Sequence, residues 1–179
     1  SIFPGCYDGR WPHIHFEVYP SVDDALSASN LLKTSQMALP RAACEDAFVS
    51  FLEGGAALAG KAAVCRELRL IGTEKAVPVL AKMLAAAETS DIARYALERI
   101  PGDVADEALL KALGGASVGS RLGIISSLAG RKCARAVYPL EKMLYATDKK
   151  EAAAAAEALG RVGGDKAAGA LSAALIKTT

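Results

Sequence analysis

Leu70-Ile71-Gly72-Thr73-Glu74-Lys75-Ala76-Val77-Pro78-Val79-Leu80 decides the fold, because two later stretches follow the same pattern. They are Ser127-Leu128-Ala129-Gly130-Arg131-Lys132-Cys133-Ala134-Arg135-Ala136-Val137-Tyr138-Pro139-Leu140 and Leu159-Gly160-Arg161-Val162-Gly163-Gly164-Asp165-Lys166-Ala167-Ala168-Gly169-Ala170-Leu171. Each reads as the end of one helix, a Gly-containing turn and the start of a second helix. Leu80, Leu110, Leu140 and Leu171 recur at a period of about 30 residues. Leu84, Leu113, Leu144 and Leu175 follow one turn later, and both sets are predicted to mark the buried face of each second helix. The helix pairs are then 57–71 with 74–86, 89–100 with 103–113, 117–129 with 132–145, and 148–161 with 164–176. Thr89-Ser90-Asp91 and Thr147-Asp148 read as N-caps, and Pro101-Gly102 and Gly114-Gly115 as breakers. One such pair cannot bury its own apolar face, but four stacked pairs share one core. The predicted fold class is mostly α: an α-solenoid of about four helical hairpins preceded by a short β-containing segment.

Cys65-Arg66-Glu67-Leu68-Arg69-Leu70-Ile71-Gly72-Thr73-Glu74-Lys75-Ala76-Val77-Pro78-Val79-Leu80 and Ala93-Arg94-Tyr95-Ala96-Leu97-Glu98-Arg99-Ile100-Pro101 resemble HEAT-like repeats of the short type found in bacterial multi-repeat proteins. The resemblance covers about residues 56 to 176 and assigns 56–179 to a repeat domain. It implies a scaffold that binds a protein partner and no particular reaction. Arg66, Glu67, Arg69, Arg94, Glu98 and Arg99 read as solvated helix faces, where such charges pair weakly. Arg131, Lys132 and Arg135 form a small basic cluster near one turn, but acidic residues are as numerous and no aromatic platform accompanies it. Nucleic acid is therefore not expected as a partner.

Upstream, Ala43, Ala47, Phe48, Phe51 and Leu52 follow Pro40 at helical spacing, so 41–53 reads as an amphipathic helix stopped by Gly54-Gly55. The boundary between segments falls between residues 48 and 56. Leu31–Leu39 reads as a short strand, and 21–30 as a loop or weak helix after Pro20. Ser1–Tyr19 differs in kind and holds both histidines and the single tryptophan. Ile14, Phe16 and Val18 alternate with His13, His15, Glu17 and Tyr19, a strand period that lets His13 and His15 face one point. Pro4-Gly5 and Asp8-Gly9 are turn dipeptides that fold Tyr7 back towards this strand, followed by Arg10 with its fork of donors. A phenolate and two imidazoles suit ferric iron better than a thiol-loving metal. The plain structural alternative is that Tyr7 and Trp11 fill a small core and Arg10 is a solvated turn charge.

Phe3-Pro4-Gly5-Cys6-Tyr7-Asp8-Gly9-Arg10-Trp11-Pro12-His13-Ile14-His15-Phe16-Glu17-Val18 resembles the iron(III) signature of the intradiol ring-cleavage dioxygenases, the catechol and protocatechuate type. Leu32–Pro40 is similar to the segment that follows it in bacterial members. The resemblance covers about residues 1–48. It implies Tyr7, His13 and His15 as metal ligands, Arg10 as the catalytic residue that stabilises charge on the substrate, and Gln36 at a substrate-contacting glutamine. The implied cofactor is Fe(III) and the implied substrate a catechol-type aromatic, cleaved with O2 between its two hydroxyls to a muconate-type diacid. The family's other tyrosine ligand stands upstream of the motif and has no counterpart here. Three ligands without that support hold iron poorly, so this chain is expected to be inactive as a dioxygenase. The overall expectation is a repeat scaffold carrying a truncated dioxygenase segment. The alternative is the C-terminal part of an active iron dioxygenase.

The composition fits both readings. Of 179 residues, 52% are hydrophobic but only 6% aromatic, so alanine and leucine supply the core. A formal charge of +1 gives no general pull towards nucleic acid or an anionic membrane, and no apolar run is long enough to span a bilayer. Cys6, Cys44, Cys65 and Cys133 form no metal-binding spacing and read as small buried apolar residues.

Overall fold

The structure is a computed structural model that describes residues 2–5, 13–18, 33–38 and 41–178. The chain divides into two compact units, Ser1–Ala47 and Phe48–Thr179. In the first, β1 (Ile2–Gly5), β2 (His13–Val18) and β3 (Lys33–Ala38) form an antiparallel sheet in that order. The rest of the described chain is helical: α1 (Arg41–Glu53), α2 (Leu58–Ile71), α3 (Val77–Leu84), α4 (Ala87–Leu97), α5 (Asp103–Gly115), α6 (Val118–Gly130), α7 (Val137–Met143), α8 (Lys149–Val162) and α9 (Gly164–Thr178). Single 3-10 turns, Glu74–Ala76 and Ala134–Ala136, lead into α3 and α7. The protein is therefore mostly α-helical.

The helices form two rows. In the first, α2 packs on α4, α4 on α6 and α6 on α8. In the second, α3 lies against α5 and α7 against α9, while α3–α4, α5–α6 and α7–α8 contacts join the rows. The residues preceding the first-row helices are Ala57, Ala86, Ser117 and Asp148, at spacings of 29, 31 and 31. The core keeps the same spacing. Val64, Ala93, Ile124 and Ala155 are buried, as are Leu68, Leu97, Leu128 and Leu159, and Ala76, Ala105, Ala136 and Ala167. Identical burial at equivalent positions means that each unit presents the same face to its neighbours. A buried leucine side chain contributes roughly 1.5–3 kcal/mol, so the leucine set is a main source of cohesion along the stack.

This spacing corrects the even period read from the sequence. Leu109, not Leu110, is fully buried beside Leu80 and Leu140, because the first unit is 29 residues long and a uniform count of 30 lands one residue late. Leu110 and Leu171 are half-buried. At the next position Leu84 and Leu113 are buried and Leu144 is half-buried, but Leu175 is 69% exposed. The predicted buried face thus fades along α9. On α1 the buried side carries Cys44, Glu45 and Leu52, with Phe48 and Val49 half-buried, whereas Ala43, Ala47 and Phe51 are exposed. The helix has the expected bounds but is rotated by about one residue.

Helix ends follow local chemistry. Asp148 caps α8 by accepting a hydrogen bond from Lys150 N at 2.7 Å, and Ser117 caps α6 by accepting one from Ser120 N. Thr89-Ser90-Asp91 does not cap: α4 begins earlier, after an extended Ala86 with no side-chain bond. Thr89 instead donates its hydroxyl to Met83 O at 2.7 Å, tying α4 to the end of α3. Gly102 has φ +94°, a backbone conformation that favours glycine, and the Glu74 carboxylate lies where a Cβ would stand.

One side chain closes the middle joint. Arg131 follows α6 and its side chain is 9% exposed. It donates to Leu97 O at 2.8 Å, Ile100 O at 2.6 Å and Gly102 O at 2.9 Å, and pairs with the Asp106 carboxylate. The last carbonyls of a helix lack partners within it. Here the next unit supplies them through one planar fork of donors. Arg135 pairs with Glu107 at 3.0 Å, so the basic cluster read from the sequence is largely spent on joining units. Arg121 similarly meets buried Glu151 at 2.7 Å between α6 and α8.

These features give three tests. Leu128→Ala should cost about 2–5 kcal/mol in urea unfolding, and Leu175→Ala within about 0.5 kcal/mol. Arg131→Met should cost about 3 kcal/mol or more, since it strands Asp106 and several carbonyls. Burial pushes the Cys65 thiol up to about 11 from an ordinary 9.0. Between those pH values the unfolded chain has lost this proton and the folded chain keeps it, so the contribution of Cys65 falls as pH rises. The stability gap between wild type and Cys65→Ala should therefore narrow across that window.

Candidate functional site

The metal-ligand residues named from the sequence fall in the first unit. His13 and His15 take alternate positions on β2, the central strand, at the same phase of its pleat. His13 is in register with Gly5 and Ala38, and His15 with Phe3 and Gln36. Tyr7 and Arg10 lie outside the described residues, as do Cys6, Trp11 and residues 21–30. The expected convergence of Tyr7, Arg10, His13 and His15 therefore also lies outside them. Among the described residues, no group of three or more His, Cys, Asp or Glu is arranged to hold a metal ion, and no helix is long and apolar enough to cross a membrane.

Cys44, Cys65 and Cys133 are buried free thiols. Burial raises the pKa of each, and for Cys133 the neighbouring Asp106 carboxylate raises it further. Thiols held protonated are poor nucleophiles, and Cys65 and Cys133 pack in the hydrophobic core.

The helical unit offers a concave site in the second row. A groove of about 450 Å³ runs between the C-terminal halves of α3 and α5 and is closed by the starts of α4 and α6. Its walls are small and apolar, with Ala81, Leu84, Ala85, Ala108 and Ala112 prominent. Lys82 and Lys111 stand exposed along it, and no acidic side chain is among the described residues that line it. Ser117 and Ser120 mark one end and bond to each other at 3.2 Å. This volume and lining fit the binding of a small apolar group with a few polar anchors.

The first row carries a second hollow of about 400 Å³ beside Arg66, Asp91, Arg94 and Tyr95. Asp91 and Arg94 in its wall pair with each other. Arg69 stacks on the Tyr95 ring at 4.1 Å, and Arg94 bonds Ser127 at 3.0 Å and Asp91 at 3.4 Å. The sequence reading placed Arg69 and Arg94 on solvated faces. The structure instead uses both to join α2 to α4 and α4 to α6. The spacing of Arg94 to Ser127, 33 residues, was a usable signal, since it is close to one repeat. The groove had no comparable signal, because alanines and lysines on two helices say nothing about a gap between them.

No protein-family model matches the chain, and no curated protein matches it.

Proposed function

We propose that the helical part, 56–179, is a HEAT-like α-solenoid that serves as a protein-interaction scaffold. The reading is carried by the shared burial pattern of four units at spacings of 29, 31 and 31. Such stacks expose continuous helix faces, and their usual work is to hold another chain along them. The groove between α3 and α5 offers one place to do so. Panning a displayed library of short random peptides against the full chain tests it. Recovery of related sequences that bind the purified protein in solution supports the scaffold, and recovery of none contradicts it.

A second reading concerns the first unit. His13 and His15 occupy one phase of a central strand, which favours a shared ligand. Tyr7 would complete with them a donor set that suits ferric iron, and Arg10 would face the substrate's developing charge. The metal, when bound, would activate a catecholate towards O2. The reading requires a visible absorption band when Fe(III) is added to the protein, since iron held by tyrosinate is coloured, and loss of that band in His15→Ala. A colourless protein with no iron by elemental analysis would overturn it.

A further inference from the structure

The groove between α3 and α5 has a counterpart one unit further on, and the two differ in a way that points to a ligand. Adding the 31-residue spacing of the later units to the groove residues gives their equivalents. Ala112 corresponds to Met143 and Ala108 to Pro139, while Ala81, 29 residues earlier, corresponds to Leu110. Bulkier side chains thus stand at the next joint where alanines line the groove. The polar positions change as well. Ser117 and Ser120 correspond to Asp148 and Glu151, so two carboxylates at the next joint are hydroxyls here. The basic positions do not change: Lys82, Lys111 and Lys142 are equivalent.

Lys82 and Lys142 stand in the last turns of their helices and complement the helix dipole there, whereas Lys111 lies further from the end of α5. The dipole does not explain the loss of bulk beside Lys82 and Lys111. At the next joint Glu151 is buried and pairs with Arg121 at 2.7 Å, and Lys142 lies over the Tyr138 ring at 4.3 Å. The equivalent of Arg121 is Ser90, which is 1% exposed with no hydrogen-bond partner for its hydroxyl among the described residues. The first joint therefore has space where the next has bulkier side chains, and it carries two exposed lysines with no acidic side chain among the described residues that line it.

We infer that this groove is the docking site of an acidic peptide segment of a protein partner, with a small apolar side chain over Ala81 and Ala112 and a carboxylate towards Lys82 and Lys111. The inference rests on the scaffold reading and specifies its partner's chemistry. Steering by two exposed lysines also makes association salt-sensitive.

Two variants test it on peptides recovered by display against the full chain. Lys82→Glu with Lys111→Glu reverses the charge at exposed positions, and Ala112→Met fills the groove with the residue that the next unit uses. Circular dichroism checks that each stays folded. The expected result is that the recovered peptides carry Asp or Glu beside a small apolar residue. Their affinity should fall at least about tenfold in each variant and weaken with added salt. Peptides that bind but are indifferent to both variants, or that lack acidic residues, overturn the groove while leaving the scaffold standing. Recovery of no peptide removes both. If instead the isolated chain is a dimer and Ala112→Met makes it monomeric, a second copy fills the groove and the inference fails.

Discussion

Every helix pair in the second unit has an apolar face that its own residues cannot cover, and the neighbouring pair covers it. That constraint organises the helical structure. Leu68, Leu97, Leu128 and Leu159 sit at one equivalent position and are all fully buried. Alanines at Ala76, Ala105, Ala136 and Ala167, near the start of the second-row segments, are buried at one equivalent position. Large residues supply cohesion and small ones set the approach.

The joints are not identical. Between the second and third units Arg131 collects carbonyls from the end of α4 and pairs with Asp106, while Arg94 reaches Ser127. Between the third and fourth, Arg121 and Glu151 carry the polar link. Between the first and second, Arg69 on Tyr95 is a stacking contact at the surface, and the second-row side is the open groove. Buried polar links specify geometry more than they add net stability.

Much of the helical fold could be read from the sequence. Gly-containing turns, the Pro-Gly and Gly-Gly breakers and the leucine recurrence gave four pairs whose bounds agree with the helices to within a few residues. Asp148 was legible as a cap because its side chain has one obvious use. What could not be read depended on three-dimensional neighbours. Leu109 and Leu110 are adjacent and chemically identical, so only the shorter first unit decides which is buried. Arg131 looked like one of three basic residues at a turn, and its role depends on carbonyls about 30 residues away. Leu175 matched the apolar pattern, but burial at the end of α9 depends on what lies beside it. At the first unit, His13 and His15 were legible as strand residues by alternation, whereas Tyr7 and Arg10 lie outside the described residues.

The central claim is that the helical unit is a stack held by nearest-neighbour joints, with the Arg131 joint at its middle. Segment-resolved hydrogen exchange of the native chain tests this most directly. The account requires slowest exchange in α4 and α6, a gradient towards α9, and faster exchange of α4 and α5 than of α8 when Arg131 is replaced by Met. Uniform protection from α2 to α9 that falls everywhere together in that variant would contradict it, because it would mean one indivisible core in place of a stack.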